Sequence, residues 1–288
     1  MTECGGANSG TGGCTHIPAG QEEGHKPMNE EFWIMTPLNP LFCVISLCFL
    51  LLLTVASLAV RRKSDRTRRL VLVIASVVTL IGFFAYKYAL SVDWDYDRIM
   101  AAMNGFNWWG ELPLHLCNIN MILIPIAVMK DRRSLMSFCF FLGPLGALMA
   151  LLMPGNGFEG YSILLPRMIG FYGTHFMVII EALALATFGL YRPKFRDFPG
   201  TLLTILIISV AVFCVNLLFR ATGLYPKANY FYSVETEGNF LLELFHRWIP
   251  IPYLYLMPCY LILCPYMAVV TFGFWLADRK KERKISYD

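Results

Sequence analysis

His115, Cys117 and His175 are the side chains of this chain whose types and spacing suit covalent chemistry. A thiol attacks as the thiolate, and a free pKa of about 8.5 leaves most of it protonated at neutral pH. A neighbouring imidazole must therefore take the proton. His115 is two positions from Cys117, about 200° around a helix, so those two side chains point apart. His175 on a facing helix is the better base. Asn216 is suited to orient its ring or to hold a developing oxyanion. Asn120 and Glu111 add polar lining for a substrate. The bland use of the same residues stays open, because His and Asn bridge membrane helices by hydrogen bonds and a buried thiol is often inert.

These groups need elements to position them, and composition says which. Hydrophobic residues make up 57% of the 288-residue chain and charged residues 15%. A soluble domain carries about a quarter charged residues. Mean hydropathy is +0.54. Apolar stretches cover residues 38–60, 70–90, 112–129, 135–153, 168–190, 200–221 and 252–277. About 20 residues at 1.5 Å rise cross a hydrocarbon core. The expectation is an all-α fold, a polytopic bundle of seven transmembrane helices over 38–277. Residues 1–37, rich in Gly, Ser, Thr, Asn and Glu, read as a disordered extracytoplasmic tail. They lack the organisation of a signal peptide. Residues 278–288 read as a basic cytoplasmic tail.

Charge sets the orientation. Arg61, Arg62, Lys63, Arg66, Arg68 and Arg69 follow the first stretch, and Lys130, Arg132 and Arg133 the third. Arg192, Lys194 and Arg196 follow the fifth, and Arg279, Lys280, Lys281, Arg283 and Lys284 the seventh. The alternate loops carry acids, among them Asp93, Asp95, Asp97, Glu159, Glu235, Glu237 and Glu243. The positive-inside rule then puts the N-terminus outside and the C-terminus in the cytoplasm. The net charge of +4 is clustered in short loops. It speaks to topology and lipid headgroups, not to nucleic acid.

With that orientation, Cys117 and Asn216 fall about one turn from the outer surface and His175 about two turns in. Ionisable side chains inside a bilayer usually face the bundle interior and mark functional sites. Lys87 is expected to snorkel between Tyr86 and Tyr88, and Glu181 to be a paired structural acid. Cys4 and Cys14 have a spacing that permits pairing in the tail. Cys43, Cys48, Cys139, Cys214, Cys259 and Cys264 read as packing residues. No Cys-x-x-Cys pair, phosphate-binding glycine loop or Gly-x-Ser-x-Gly elbow occurs.

Leu-Pro-Leu-His-Leu-Cys at 112–117, Gly-Thr-His at 173–175, Asn216, Ala-Asn-Tyr-Phe at 228–231 and Trp-Ile-Pro-Ile-Pro-Tyr at 248–253 resemble the YwaF-like integral membrane family over about residues 40–277. Its vertebrate relatives resemble membrane acyltransferases that move polyunsaturated chains between phospholipids with a cysteine and a histidine. The resemblance implies that His115 and His175 match the two histidines of those relatives. Their thiol lies between a proline and a histidine, so its slot here is Leu114, and Cys117 is one helical turn deeper.

The expected function is a membrane-embedded lipid acyltransferase or lipid ester hydrolase. Cys117 is the nucleophile, His175 the base, and His115, Asn216, Asn120 and Glu111 shape an outer-leaflet pocket. Acyl-CoA is not expected on the outer face, so the partners are membrane phospholipids, and no cofactor is implied. Two other classes fit the same residues. A transporter or lipid-binding protein would use helices broken at Gly143-Pro144 and Pro258. A zinc hydrolase would need His115, His175 and His246 as ligands, although the preferred reading holds no metal. The expected location is the cell membrane, or an endomembrane such as the endoplasmic reticulum in a eukaryote.

Overall fold

The computed structural model describes residues 32–93, 96, 106–155 and 157–285. Most of the expected tail, with Cys4 and Cys14, and the acids Asp95 and Asp97 lie outside the described residues. The fold is all-α, with one two-stranded ribbon. In chain order the helices are α1 (Pro40–Val60), α2 (Asp65–Ser91), α3 (Ile119–Met129), α4 (Arg133–Leu152), α5 (Pro166–Thr187), α6 (Phe198–Thr222), α7 (Phe240–Trp248) and α8 (Cys259–Ile285). Six of them, all but α3 and α7, are long and apolar enough to cross a membrane.

Local signals explain the boundaries. Asn39 caps α1 by accepting the Phe42 N–H at 2.8 Å, and Pro40 starts the helix where its missing N–H costs nothing. Ser64 caps α2 through Thr67. Gly223, with φ of 73°, ends α6 in the left-handed conformation that glycine adopts without penalty.

The structure departs from the sequence reading in four places. The stretch 112–129 is not one helix, because α3 begins only at Ile119. Residues 32–37 are ordered rather than tail. There Ile34–Met35 (β1) pairs antiparallel with Tyr161–Ser162 (β2), and Met35 is fully buried. Gly143-Pro144 does not break α4, which runs through both residues. Pro258 lies between the 3-10 turn Leu254–Leu256 and the start of α8, within the apolar stretch Leu254–Glu282 but not inside a regular helix. A proline in a first turn has no hydrogen bond to lose. At Gly143-Pro144 the broken-helix basis for a transporter is thereby removed.

Packing makes α5 the centre. Buried residues make up 67% of its apolar window and 61% of that of α4, against 17% for α1 and for α8. The outer helices therefore present Leu47, Leu51, Leu58, Leu261 and Val269 to lipid. Gly170 of α5 meets the Tyr86 ring of α2 so closely that a β-carbon there would overlap it. Two apolar clusters fill the bundle. One holds Ile124, Phe138, Phe141, Leu185 and Met267. The other holds Phe83, Tyr86, Cys117, Met121, Phe171 and Tyr172, at the end where Lys87 and His175 lie.

Candidate functional site

The segment before α3 decides the site. Leu112 precedes a proline, which disfavours helical backbone, and Pro113 has no N–H. The chain turns instead. Gly110 N–H donates to Asn107 O at 2.8 Å, Glu111 N–H to Trp108 O at 3.2 Å and Leu114 N–H to Leu112 O at 2.7 Å. Helical bonding resumes only where Ile119 N–H reaches His115 O at 2.9 Å. The helical geometry expected for 112–117 is therefore overturned. Leu114 packs with Val212, Phe219 and Tyr230, whereas Cys117 belongs to the cluster of Phe83, Met121 and Phe171. The two residues do not share a face.

Lys87 is the largest addition to the expected residues. It does not snorkel. Its side chain is 8% exposed, and Nζ donates to the carboxylate of Glu111. Nζ also lies 4.5 Å from the Tyr86 ring centroid and 5.2 Å from that of Phe83. A buried ammonium needs such a partner, because desolvation without one costs several kcal/mol.

His115 is half-buried, with its ring 5.1 Å from that of Tyr230 and 6.1 Å from that of Tyr232. Asn216 of α6 places Tyr230. Its Oδ1 accepts the Tyr230 N–H at 3.0 Å, and its Nδ2 donates to Tyr230 O and Ser233 Oγ, each at 2.8 Å. The Tyr230 hydroxyl donates to Trp109 O. Phe231 and Tyr232 have φ of 61° and 51°, a backbone region costly for bulky residues. The Asn216 amide holds this strained turn against His115. Its bonds make it a positioning residue.

His175 is 4% exposed, and Nδ1 lies 2.7 Å from Phe171 O. A carbonyl only accepts, so in the neutral ring Nδ1 carries the hydrogen and Nε2 keeps its lone pair. The ring packs on Phe171 at 4.4 Å. Cys117 is 7% exposed, and its thiol donates to Asn118 Oδ1 at 3.5 Å. Asn120 is fully buried. Its Nδ2 donates to Leu116 O at 2.7 Å, while Oδ1 has no partner among the described residues. Glu181 accepts from Thr79 Oγ1 at 2.5 Å, which ties α5 to α2.

The structure thus joins Glu111 to Lys87 and His115 to Tyr230, Tyr232 and Asn216, and it sets Cys117 and Phe171, the ring partner of His175, in one cluster. His246 of α7 packs instead on Tyr255, at 5.3 Å. Among the described residues no three His, Cys, Asp or Glu side chains gather as metal ligands. The three-histidine zinc reading therefore lacks its ligand set. Lys87 and Tyr230 were missed as site residues. The available signals were an ammonium inside an apolar span and the Ala-Asn-Tyr-Phe stretch.

The model of the TMEM164 family, a membrane protein family, matches residues 29–276. No curated protein and no solved structure matches the chain.

Proposed function

The chain belongs to the TMEM164 family, and from that premise we propose that it acts on membrane lipid by acyl transfer or ester hydrolysis, with His175 as general base. The observation that carries this reading is the His175 ring. Its Nδ1–H is committed to Phe171 O, so the free lone pair is on Nε2, in a buried setting packed on the Phe171 ring. The resemblance of 112–117 and 173–175 to the YwaF-like family and its acyl-transferring relatives supports the same chemistry.

In the thiol route, His175 Nε2 takes the Cys117 proton and the sulfur attacks a lipid ester carbonyl. The lysolipid alcohol leaves with the proton from His175. A second lipid's hydroxyl, deprotonated by His175, then attacks the thioester and regenerates the thiol; water in that place gives hydrolysis. His115, Glu111 and Asn120 line the substrate, and Asn216 holds Tyr230 over His115. A second reading has a specific support. Leu114 fills the relatives' thiol slot and Cys117 packs in another cluster, so His175 would activate water or a lipid hydroxyl directly.

The reading includes seven crossings with the N-terminus outside. The six long helices supply six. The seventh is α3, 11 residues and about 16 Å long, extended by the turns of 107–118. Irregular backbone is tolerated at membrane depth where protein covers it. The alternating basic loops support the orientation. Cysteine labelling at sites in 62–69 should occur only from the cytoplasmic side and at sites in 225–240 only from outside; the reverse defeats the topology.

The chemistry is tested with full-length protein in nanodiscs holding acyl-labelled phosphatidylcholine and a lysophospholipid acceptor. His175→Ala should lower label transfer or release roughly a hundredfold or more. Loss in Cys117→Ser supports the thiol route, and full activity in Cys117→Ala supports the direct route. Equal rates in wild type and His175→Ala would defeat both.

A further inference from the structure

At the end of the bundle opposite His115 and His175, the first turns of α2 and the end of α3 border an open cleft of about 500 Å³. Its lining is Arg66, Arg69, Leu70, Val73, Val128, Met129 and the acid Asp131, which is paired with Arg69. We propose that this cleft binds one anionic phospholipid, with the phosphate on the arginines and an acyl chain along the apolar wall. The site is about 27 Å along α2 from Lys87, so it is separate from the outer residues.

The arginines are unequal. Arg69 is already oriented: Nε donates to Asp65 at 2.7 Å, and Nη1 donates to Val128 O at 2.8 Å and forms an ion pair with Asp131 at 2.9 Å. These bonds fix the guanidinium plane. Nη2 has no partner among the described residues, so its two N–H groups are available to an oxygen acceptor. Asp65 and Asp131 offset the charge of Arg69. Arg66 is exposed and has no ion pair among the described residues, so it is the cation of the cleft left to meet a phosphate. A fixed guanidinium edge beside a free one suits a tetrahedral phosphate better than it suits a point cation or a neutral headgroup.

The other wall selects a lipid over free phosphate. Leu70 and Met129 are 55% and 71% exposed, and they continue into Val73 and Val128. A soluble anion would leave this surface wet. An acyl chain lying on it keeps it in hydrocarbon, while the headgroup stays at the level of the helix ends. The volume is within the range of small-ligand sites, roughly 300–1,000 Å³.

Native mass spectrometry of the detergent-solubilised full chain tests this, with dioleoylphosphatidylserine as probe and dioleoylphosphatidylcholine as neutral control. One phosphatidylserine should bind per chain with clear preference over phosphatidylcholine. Arg66→Gln should weaken it roughly fivefold, the worth of one basic residue near an anionic surface. Leu70→Asp should weaken it at least as much. Lys63→Gln, an exposed charge outside the cleft, should change affinity less than twofold. Equal losses in Arg66→Gln and Lys63→Gln would mean diffuse attraction and overturn the site. Equal binding of phosphatidylcholine, or of glycerophosphoserine without chains, would also overturn it.

Discussion

The half of the bundle around Lys87 and the half around Phe138 use much the same apolar residues but handle polarity differently. Around Phe138 and Phe141 the backbone is regular helix, which satisfies its own hydrogen bonds. An interior polar contact there joins two regular helices side chain to side chain, Ser137 of α4 with Thr201 of α6 at 2.5 Å. Charges wait at the rim, in Arg133–Asp197, Arg192–Asp278 and Arg69–Asp65. Around Lys87 the chain leaves the helix at 107–118. The backbone groups this frees are met by side chains from elsewhere. Tyr230 reaches Trp109, and Asn216 reaches Tyr230. Positive-φ residues, Phe231, Tyr232 and Tyr253, gather in the same quarter. Irregular backbone, strain and a buried ion pair are tolerated together only where many contacts over-determine them, which is also how functional sites are held.

Removing one partner of the buried pair should separate the halves most. Lys87→Met leaves the Glu111 carboxylate without its cation and should cost about 3–5 kcal/mol in denaturant unfolding in detergent micelles. Adding Glu111→Gln should recover more than half of that loss. If Lys87→Met is neutral, the pair does not organise its half of the bundle.

Close packing sharpens the comparison next. Gly170→Ala pushes a methyl into Tyr86, beside Lys87, and should cost roughly 1–3 kcal/mol. Gly143→Ala, at 2.9 Å from the Ala182 β-carbon, should cost a similar amount in the regular half. Gly82→Ala meets nothing within 4 Å and should stabilise α2 by a few tenths to about 1 kcal/mol. Thermal unfolding should place Gly170→Ala and Gly143→Ala below wild type and Gly82→Ala at or above it.

Asn216→Ala removes three hydrogen bonds to buried groups and should cost about 1–3 kcal/mol. Hydrogen exchange should rise in 228–233 and not in α4. A uniform rise would mean that the strained turn is not held locally. The smallest effect belongs to the rim. Asp65→Asn loosens an ion pair whose acid is 55% exposed and should change stability by no more than about 1 kcal/mol.

The residues show why some features were legible in advance. Runs such as that of α1 bury little inside the protein and face lipid, so their span is written in their own hydropathy. The third stretch read as helix because Leu, Ile and Met dominate 112–129, yet one proline and its tertiary partners turned its first part. Lys87 read as interfacial because hydropathy cannot see that Glu111 would arrive beside it.

Composition and charge order by themselves determined the membrane class, the approximate long spans and the set of polar residues concentrated toward one end. Those properties depend on transfer of each segment from water, which is additive along the chain. Only the tertiary structure decided that 107–118 turns, that Leu114 and Cys117 part company, that Tyr230 lies on His115 and that Lys87 is buried. Each of these depends on a partner distant in sequence that compensates a desolvated charge, a freed backbone group or a strained dihedral. No segment carries that compensation alone.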